Sequence, residues 1–324
     1  MVSVIIPCFN SEKFIDISIR SVYEQDYSYI ELIVVDDGST DNSKERILAW
    51  EERFEQKGYS FRYIYQDNRG LGGAIDTGLK YVNGKYLSLL DADDYLLQGS
   101  IAKRAAFLDE HEDYAGVRTN GWMLKGTDKI PFTSSPNEKS NTDYFNALFF
   151  DGAPNWAGSY MVRTDLLFDF YPDRSIYPSR SGQNMQIILP VAYKRKFGMI
   201  DEPLMVYVLH ENSLSQVGAS EVKNAKDDKN FYGYLDIYQH MVDIIITDKE
   251  EKKLYLSCLN SWRFRHECEK ALETKDKKKL KANFRQLIST GQDTLADRIK
   301  VYSYLNPLMS SYYRIKRRFS VTKD

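Results

Sequence analysis

Lys85 to Leu97 reads KYLSLLDADDYLL, a short apolar run from Tyr86 to Leu90 that stops abruptly at Asp91-Ala92-Asp93-Asp94. A fully buried central strand has such a run, and open α/β sheets hold ligands in the loops at strand carboxyl ends. The pattern predicts three carboxylates converging at a strand exit. Carboxylates so close raise one another's pKa unless a cation neutralises them, and hard oxygen donors suit Mg2+ or Mn2+. The plainer alternative is a solvated acidic turn that caps the next helix, and for Asp94 taken alone it is reasonable. What precedes the turn decides between the two.

Upstream, a strand-then-helix grammar repeats. Val2-Ser3-Val4-Ile5-Ile6-Pro7 is a β-branched run stopped by proline, after which Phe14, Ile15, Ile19, Val22 and Tyr23 recur at helical spacing. Glu31 to Val35 is a second run, ending in Asp36-Asp37-Gly38-Ser39-Thr40-Asp41. Phe61 to Tyr65 is a third, leading through Asp67-Asn68-Arg69-Gly70 into a helix expected over Leu71 to Val82. Such alternation predicts right-handed crossovers and a mainly parallel sheet covered on both faces. Glycines at 70, 72, 73 and 78 make that third helix weak by propensity, so either its backbone approaches something closely or the preceding loop is longer. Four polar strand exits along one sheet edge define a crevice. The chain has neither a P-loop nor a G-x-G-x-x-G fingerprint, so phosphate charge must be met by a metal and side chains.

Taken together, Val4-Ile5-Ile6-Pro7-Cys8-Phe9-Asn10, Val34 to Asp41, Asn68-Arg69-Gly70 and Gly84-Lys85-Tyr86-Leu87 leading into Asp91-Ala92-Asp93-Asp94 resemble the family 2 glycosyltransferases in order and spacing. These are inverting, metal-dependent enzymes of the GT-A fold that use sugar nucleotides, and the resemblance is strong from Val2 to Gly99 and thins afterwards. It implies that Pro7, Asn10, Asp36, Asp37, Asn68, Arg69, Gly70, Asp91 and Ala92 bind the nucleotide, with Asp37 on a uracil-type base and Asp91 on the ribose or a metal-bound water. Asp93, with Asp91, would ligate Mn2+ or Mg2+, and Asp94 would face the acceptor. One departure is Ala74-Ile75-Asp76, where the family often has Ala-Arg-Asn. A diphosphate-facing arginine is therefore missing, and Arg69 or a later basic residue would replace it.

Downstream, Tyr114 to Thr119 and Gly121 to Leu124 are expected to pair as strands, and Tyr144 to Phe150 to form a short helix. The glycine-rich segment Asp151 to Ser159 carries Trp156, a surface on which an acceptor sugar can stack or, equally, a core aromatic. Inverting transfer needs a carboxylate to take the acceptor hydroxyl's proton. The family usually supplies a Glu-Asp pair at a helix start, and the equivalent segment here is Gly182-Gln183-Asn184-Met185-Gln186. Amides cannot accept that proton, although Gln183 and Asn184 can bind sugar hydroxyls. Asp151, Asp169 and Asp173 are the candidate substitutes, with Asp151 favoured by its glycine-rich neighbours. His210, opening the polar loop His210 to Ser215, resembles a residue that completes the metal shell or touches the diphosphate.

After about Val217 the pattern becomes helical: Phe231 to Ile246, Lys249 to Leu272, Lys277 to Ser289 and Leu295 to Leu305. The expected organisation is a GT-A domain over 1–217, with a nucleotide half over 1–99 and an acceptor half over 100–217, and a helical region over 218–324. A basic, aromatic segment from Pro307 to Phe319 reads as an ordinary tail or as a contact with an anionic membrane. A net charge of -2 argues against nucleic acid as a partner. Cys8, Cys258 and Cys268 are odd in number and scattered, which fits packing residues in a reducing compartment. No run reaches the roughly 18 apolar residues needed to span a bilayer, so a cytoplasmic or peripheral protein is expected.

The function expected from these residues is inverting transfer of a sugar from a UDP-sugar to a glycan or lipid-linked saccharide in cell-surface polysaccharide synthesis. The rival from another class is a catalytically silent sugar-nucleotide binder that serves as an assembly partner. A nucleotidyltransferase would also want clustered aspartates, but it should show a basic, glycine-rich triphosphate loop that this chain lacks.

Overall fold

Two β-branched runs, the aromatic run Phe61 to Tyr65 and the apolar run at Tyr86 form the parallel heart of a nine-stranded sheet. A computed structural model describes residues 1–133, 136–177, 179, 182–210 and 225–306 of the chain. Its first half runs β1 (Val2–Cys8), α1 (Ile15–Tyr23), β2 (Ile30–Asp36), α2 (Ser43–Leu48), α3 (Glu51–Gln56), β3 (Ser60–Tyr65), α4 (Gly70–Leu79), β4 (Tyr86–Leu89), β5 (Tyr95–Leu96), α5 (Ser100–Glu110), β6 (Tyr114–Lys125) and β7 (Asp128–Pro131). Then follow α6 (Pro136–Ser140), α7 (Tyr144–Asn146), a π turn (Ala147–Asp151), β8 (Tyr160–Arg163), α8 (Thr164–Phe170), α9 (Gln183–Ala192), β9 (Lys196–Leu209), α10 (Ala225–Ile245), α11 (Lys249–Glu273), α12 (Lys277–Ser289) and α13 (Leu295–Leu305).

The strand order is β3-β2-β1-β4-β8-β6-β9-β5, with β7 paired to β6. From β1 the chain steps outward through β2 to β3, then returns to the other side of β1 as β4, all in parallel. The order thus reverses between β1 and β4, and such a switch point leaves a crevice at the strand carboxyl ends. Every residue of β1, β2 and β4 is buried, which is why these strands read as unbroken apolar runs. Val4, Ile6, Leu32, Val34 and Tyr86 pack there with Ile15, Ile19 and Ile101.

The second half of the sheet adds antiparallel strands. β8 runs against both β4 and β6, and β5 runs against β9. Residues 114–125, expected as two paired strands, are instead the single strand β6, which lies parallel to β9 through three register shifts. Gly121 continues β6 because Phe132 fills the space where a Cβ would sit, 2.3 Å from its ring. The glycines of α4 answer a similar demand. A Cβ on Gly72 would meet Ser179 O at 2.2 Å and one on Gly78 would meet Ile5 at 2.9 Å, so close packing outweighs poor helix propensity.

By packing, the chain divides into Met1–Met241 and Val242–Asp324. The expected boundary near Val217, the segment from Glu211 to Ser215 and the tail from Pro307 to Phe319 lie outside the described residues. The second unit holds α11, α12 and α13 around Cys268, Leu280, Phe284, Leu287 and Val301. All three cysteines are free and buried, and burial first among the causes raises each thiol to about 11. Among the described residues no helix is long and apolar enough to cross a membrane.

Candidate functional site at the strand exits

The exits of β1, β2 and β3 are tied to one another. Asn10, left-handed at φ 48, accepts from Thr40 N at 2.8 Å through Oδ1, and its own N–H donates to Ser39 Oγ at 2.9 Å. Asp36 accepts from Ser39 N and from the Tyr63 hydroxyl, both at 2.8 Å. Burial, reinforced by that bond and the Asp36 charge, raises the Tyr63 pKa. Asp37 accepts from Gln66 Nε2 at 2.6 Å, Arg69 N at 2.8 Å and Gly70 N at 2.7 Å. The last two belong to the start of α4, where amide N–H groups have no partner within the helix. Asn68 Nδ2 donates to the Asp37 carbonyl, and Pro7 is buried in β1 opposite Val35. Gly38 is left-handed at φ +81, and a Cβ there would press on Asn68 N at 3.0 Å. The Arg69 guanidinium, half exposed, reaches Thr77 Oγ1 at 3.2 Å and Asp76 Oδ2 at 3.3 Å.

The exit of β4 is built differently. Ser18 of α1 places its hydroxyl 2.6 Å from Asp94 O and 2.7 Å from Ala92 O, which pins the turn by its backbone and leaves the side chains free of that work. No hydrogen bond reaches the Asp91 carboxylate among the described residues, and burial, then the Asp93 charge, raises it to about 7. Asp94 is fully buried; Oδ1 accepts from Val208 N at 2.9 Å and Oδ2 has no partner among the described residues. Burial and the two neighbouring aspartates push its pKa well above the carboxylate range. Asp93 points the other way, with Oδ2 2.7 Å from His210 Nε2. The imidazole stacks on Phe14 with centroids 4.8 Å apart and planes at 14°. The β5–β9 pairing accounts for this meeting, because Tyr95 opposite Val206 carries the end of β9 back over the turn.

On the far side of β4, strand direction sorts the remaining candidates. β8 is antiparallel to β4, so the residues before Tyr160 lie at the carboxyl edge and those after Arg163 start from the amino edge. Trp156 is therefore on the crevice side, half-buried between Phe132 at 4.1 Å and Tyr207 at 5.9 Å. Asp169 and Asp173 lie between Thr164, bonded to Gly84 O, and Arg174, bonded to Val82 O, at the opposite edge. Asp151 ends the π turn and is exposed. Four residues on, Asn155 O accepts from Asn184 Nδ2 at 2.9 Å, while Asn184 Oδ1 accepts from the buried Tyr160 hydroxyl at 2.9 Å. Gln183, beside it at the start of α9, is buried with Nε2 unpartnered among the described residues.

Besides Ser18, three contributors carry no local signal in the sequence. Arg104, fully buried on α5, donates to Gly158 O and Tyr160 O at 3.0 and 2.9 Å and holds the start of β8 in place. With no carboxylate partner among the described residues, its burial lowers the pKa to about 9. Tyr160 lies near Asp91, whose charge adds to burial in raising its pKa. Tyr234 of α10 is raised by burial of its hydroxyl, then by the Asp91 charge, although the residue as a whole is half exposed. An apolar run in the middle of α10 could not reveal that one of its tyrosines feels the charge of an aspartate so distant in sequence.

The donor set at β4 fits a hard divalent cation. An uncompensated Asp91 and the Asp93–His210 pair offer carboxylate oxygen and imidazole nitrogen, suited to Mn2+ or Mg2+. Among the described residues no three such side chains are gathered into a ready-made metal cluster. Mg2+ is commonly held by one or two carboxylates together with substrate phosphates, which this arrangement allows.

The family model for glycosyl transferase family 2 matches residues 3–165. An uncharacterised glycosyltransferase of Nostoc sp., alr2836, is 30% identical over 232 residues, covering 69% of this chain and 70% of that protein. The minor teichoic acid biosynthesis protein GgaB of Bacillus subtilis is 25% identical over 264 residues, 78% of this chain but 28% of its own length. Among solved structures, S. aureus TarS 1-349 in complex with UDP-GlcNAc aligns with a TM-score of 0.62 at 20% identity, covering 89% of this chain and 79% of that one, a likeness of fold.

Proposed function

Because the chain belongs to glycosyl transferase family 2, we propose that it moves one sugar, with inversion, from a UDP-sugar to a glycan or lipid-linked saccharide of a cell-surface polysaccharide. The observation that carries this reading is the unsatisfied carboxylate of Asp91 beside the Asp93–His210 pair at the exit of β4, next to the β1–β4 switch point. The name of GgaB and the ligand of TarS support a nucleotide-sugar donor and a cell-envelope polymer. The proposed place of work is the cytoplasmic face of the membrane, where lipid-linked saccharides are within reach.

In this mechanism Asp37 and Asn10 would receive the base, Asp91 would face the ribose or a cation, and Asp93 and His210 would hold that cation, His210 through an unprotonated Nε2. A bound Mn2+ or Mg2+ would stabilise the charge developing on the leaving diphosphate. Arg69 is on the β3 exit and can swing from Asp76 toward phosphate. Trp156 gives the acceptor ring a stacking face, Gln183 offers its unpartnered amide to a hydroxyl, and Asp94 supports the turn on the acceptor side. Asp151 is the proposed base. Of the three carboxylates considered it alone belongs to the segment that reaches Asn184.

One observation favours the silent-binder reading: Gln183 and Asn184 stand where an acidic pair would serve, and both Asn184 amide atoms are engaged. Release of UDP from a panel of UDP-sugars, with Mn2+ and a saccharide-lipid acceptor, separates the two. Turnover that requires the acceptor and disappears in Asp93→Ala supports transfer. Tight binding of UDP with no turnover of any donor supports the silent binder.

A further inference from the structure

Tyr234 of α10 is 47% exposed, yet burial comes first among the causes that raise its hydroxyl's pKa. Both hold when a side chain lines a concavity, where water reaches the ring while the body of the protein surrounds it. Asp91 is in the same position, part-exposed by surface and raised first by burial. Its charge acts on the Tyr234 hydroxyl, which places the two within the roughly 10 Å that a charge reaches in moderate salt. No hydrogen bond joins them, and neither has a hydrogen-bond partner among the described residues. Two unsatisfied polar groups therefore share the β4 exit across a gap wider than one hydrogen bond.

The part of α10 that carries Tyr234 is fixed in place by its neighbours. One turn on, Ile237 packs against Gly182, whose φ is +71; a Cβ on that glycine would come within 3.2 Å of the Ile237 Cβ. Tyr238 meets Phe149 edge-on at 5.0 Å, and His240 stacks on Tyr177 at 4.3 Å and 22°. Tyr177 is itself held by Gln186 of α9, its N–H donating to Oε1 at 2.8 Å and its carbonyl accepting from Nε2 at 2.9 Å. Gly182 immediately precedes Gln183, which is 6% exposed and whose Nε2 has no partner among the described residues. A buried amide left without a partner costs free energy until a ligand or water completes it.

A phenol hydroxyl both donates and accepts, as a sugar hydroxyl does, and an amide N–H donates. Neutral groups beside a carboxylate match a polyhydroxyl ring, whereas phosphate calls for arginine or lysine. Tyr234 stands near Asp91, on the nucleotide side, and its helix packs on the residue before Gln183, on the acceptor side. The ring it serves is then the one passed between them. We propose that Tyr234 contacts substrate, its hydroxyl binding, beside the Gln183 amide, a hydroxyl of the sugar that the donor carries. Its premise is the UDP-sugar donor of the proposed function.

The test is calorimetric titration of the full chain, in Mn2+, with UDP and with UDP-GlcNAc, UDP-glucose and UDP-galactose. Expected is that Tyr234→Phe weakens the UDP-sugar bound by the wild type about tenfold and leaves UDP within about twofold. The variant keeps the ring and its packing, so it should melt with the wild type. Tyr232→Phe, at an exposed tyrosine two residues away, should change neither affinity. Equal loss of UDP and UDP-sugar in Tyr234→Phe would overturn the inference, as would an equal loss of UDP-sugar in Tyr232→Phe. UDP-sugar binding unchanged in Tyr234→Phe removes the inference alone, whereas a wild type that binds UDP but no UDP-sugar removes the donor reading and the inference with it.

Discussion

Two acidic turns leave the same sheet edge, Asp36-Asp37 after β2 and Asp91-Ala92-Asp93-Asp94 after β4, and they differ in who answers their charge. At the first, all four carboxylate oxygens accept hydrogen bonds, from Ser39, Tyr63, Gln66, Arg69 and Gly70. At the second, the turn is pinned by its carbonyls, Asp91 accepts nothing among the described residues, and Asp94 keeps one bare oxygen. The first turn binds the fold together; the second stores unbalanced acid at the switch point. A cation that joins the second turn recovers a Coulombic gain the protein alone does not supply.

The largest expected effect is on turnover. Asp93→Ala should slow UDP release by about 10² to 10³-fold, roughly 3–4 kcal/mol of transition-state stabilisation. Its urea midpoint should scarcely move, since Asp93 bonds only to His210. If the rate holds and stability falls instead, the two turns are alike after all. Next is Asp37→Ala, which strands two amide N–H groups and the Gln66 amide and should cost about 3 kcal/mol in urea unfolding. An unshifted midpoint would remove the structural role assigned to the first turn.

A smaller effect separates the turns by pH. The folded pKa of Asp91, about 7, lies above its unfolded value of 3.8, so between those limits the native chain binds the extra proton. Stability of the chelator-treated protein should therefore fall as pH rises from about 4 to about 7, and level off above. Urea midpoints across that range should flatten in Asp91→Asn; a slope that survives the substitution assigns it elsewhere. The smallest effect is Asp94→Asn. Burial favours the protonated carboxyl there, so a neutral amide of the same shape should shift the midpoint by less than about 1 kcal/mol, while a large loss would mean that Asp94 is ionised.

Much of the parallel part of the sheet, β1 to β4, was legible because its signals are local. β-branched runs ending in Asp, Asn or Gly mark buried strands and their exits, and the helices from Lys249 to Leu305 follow their apolar spacing closely. The antiparallel part was less so. Reading strands over Tyr114 to Thr119 and Gly121 to Leu124 put a turn between them, whereas a remote phenylalanine makes Gly121 the residue that lets one strand run through. Ser18, Arg104, Tyr160 and Tyr234 gave no warning, since a lone serine on a helix or a tyrosine in an apolar run is ordinary.

The order of letters by itself determined where strands end in acid, which strands are buried on both faces, and that helices follow the sheet. Periodicity and turn chemistry act over a few residues, and so a sequence displays them. Only the tertiary structure decided which aspartates are satisfied. A carboxylate's partners must come within about 3 Å, and here they arrive from the start of α4, from Tyr63 and from the end of β9, placed by chain reversals that no local pattern encodes.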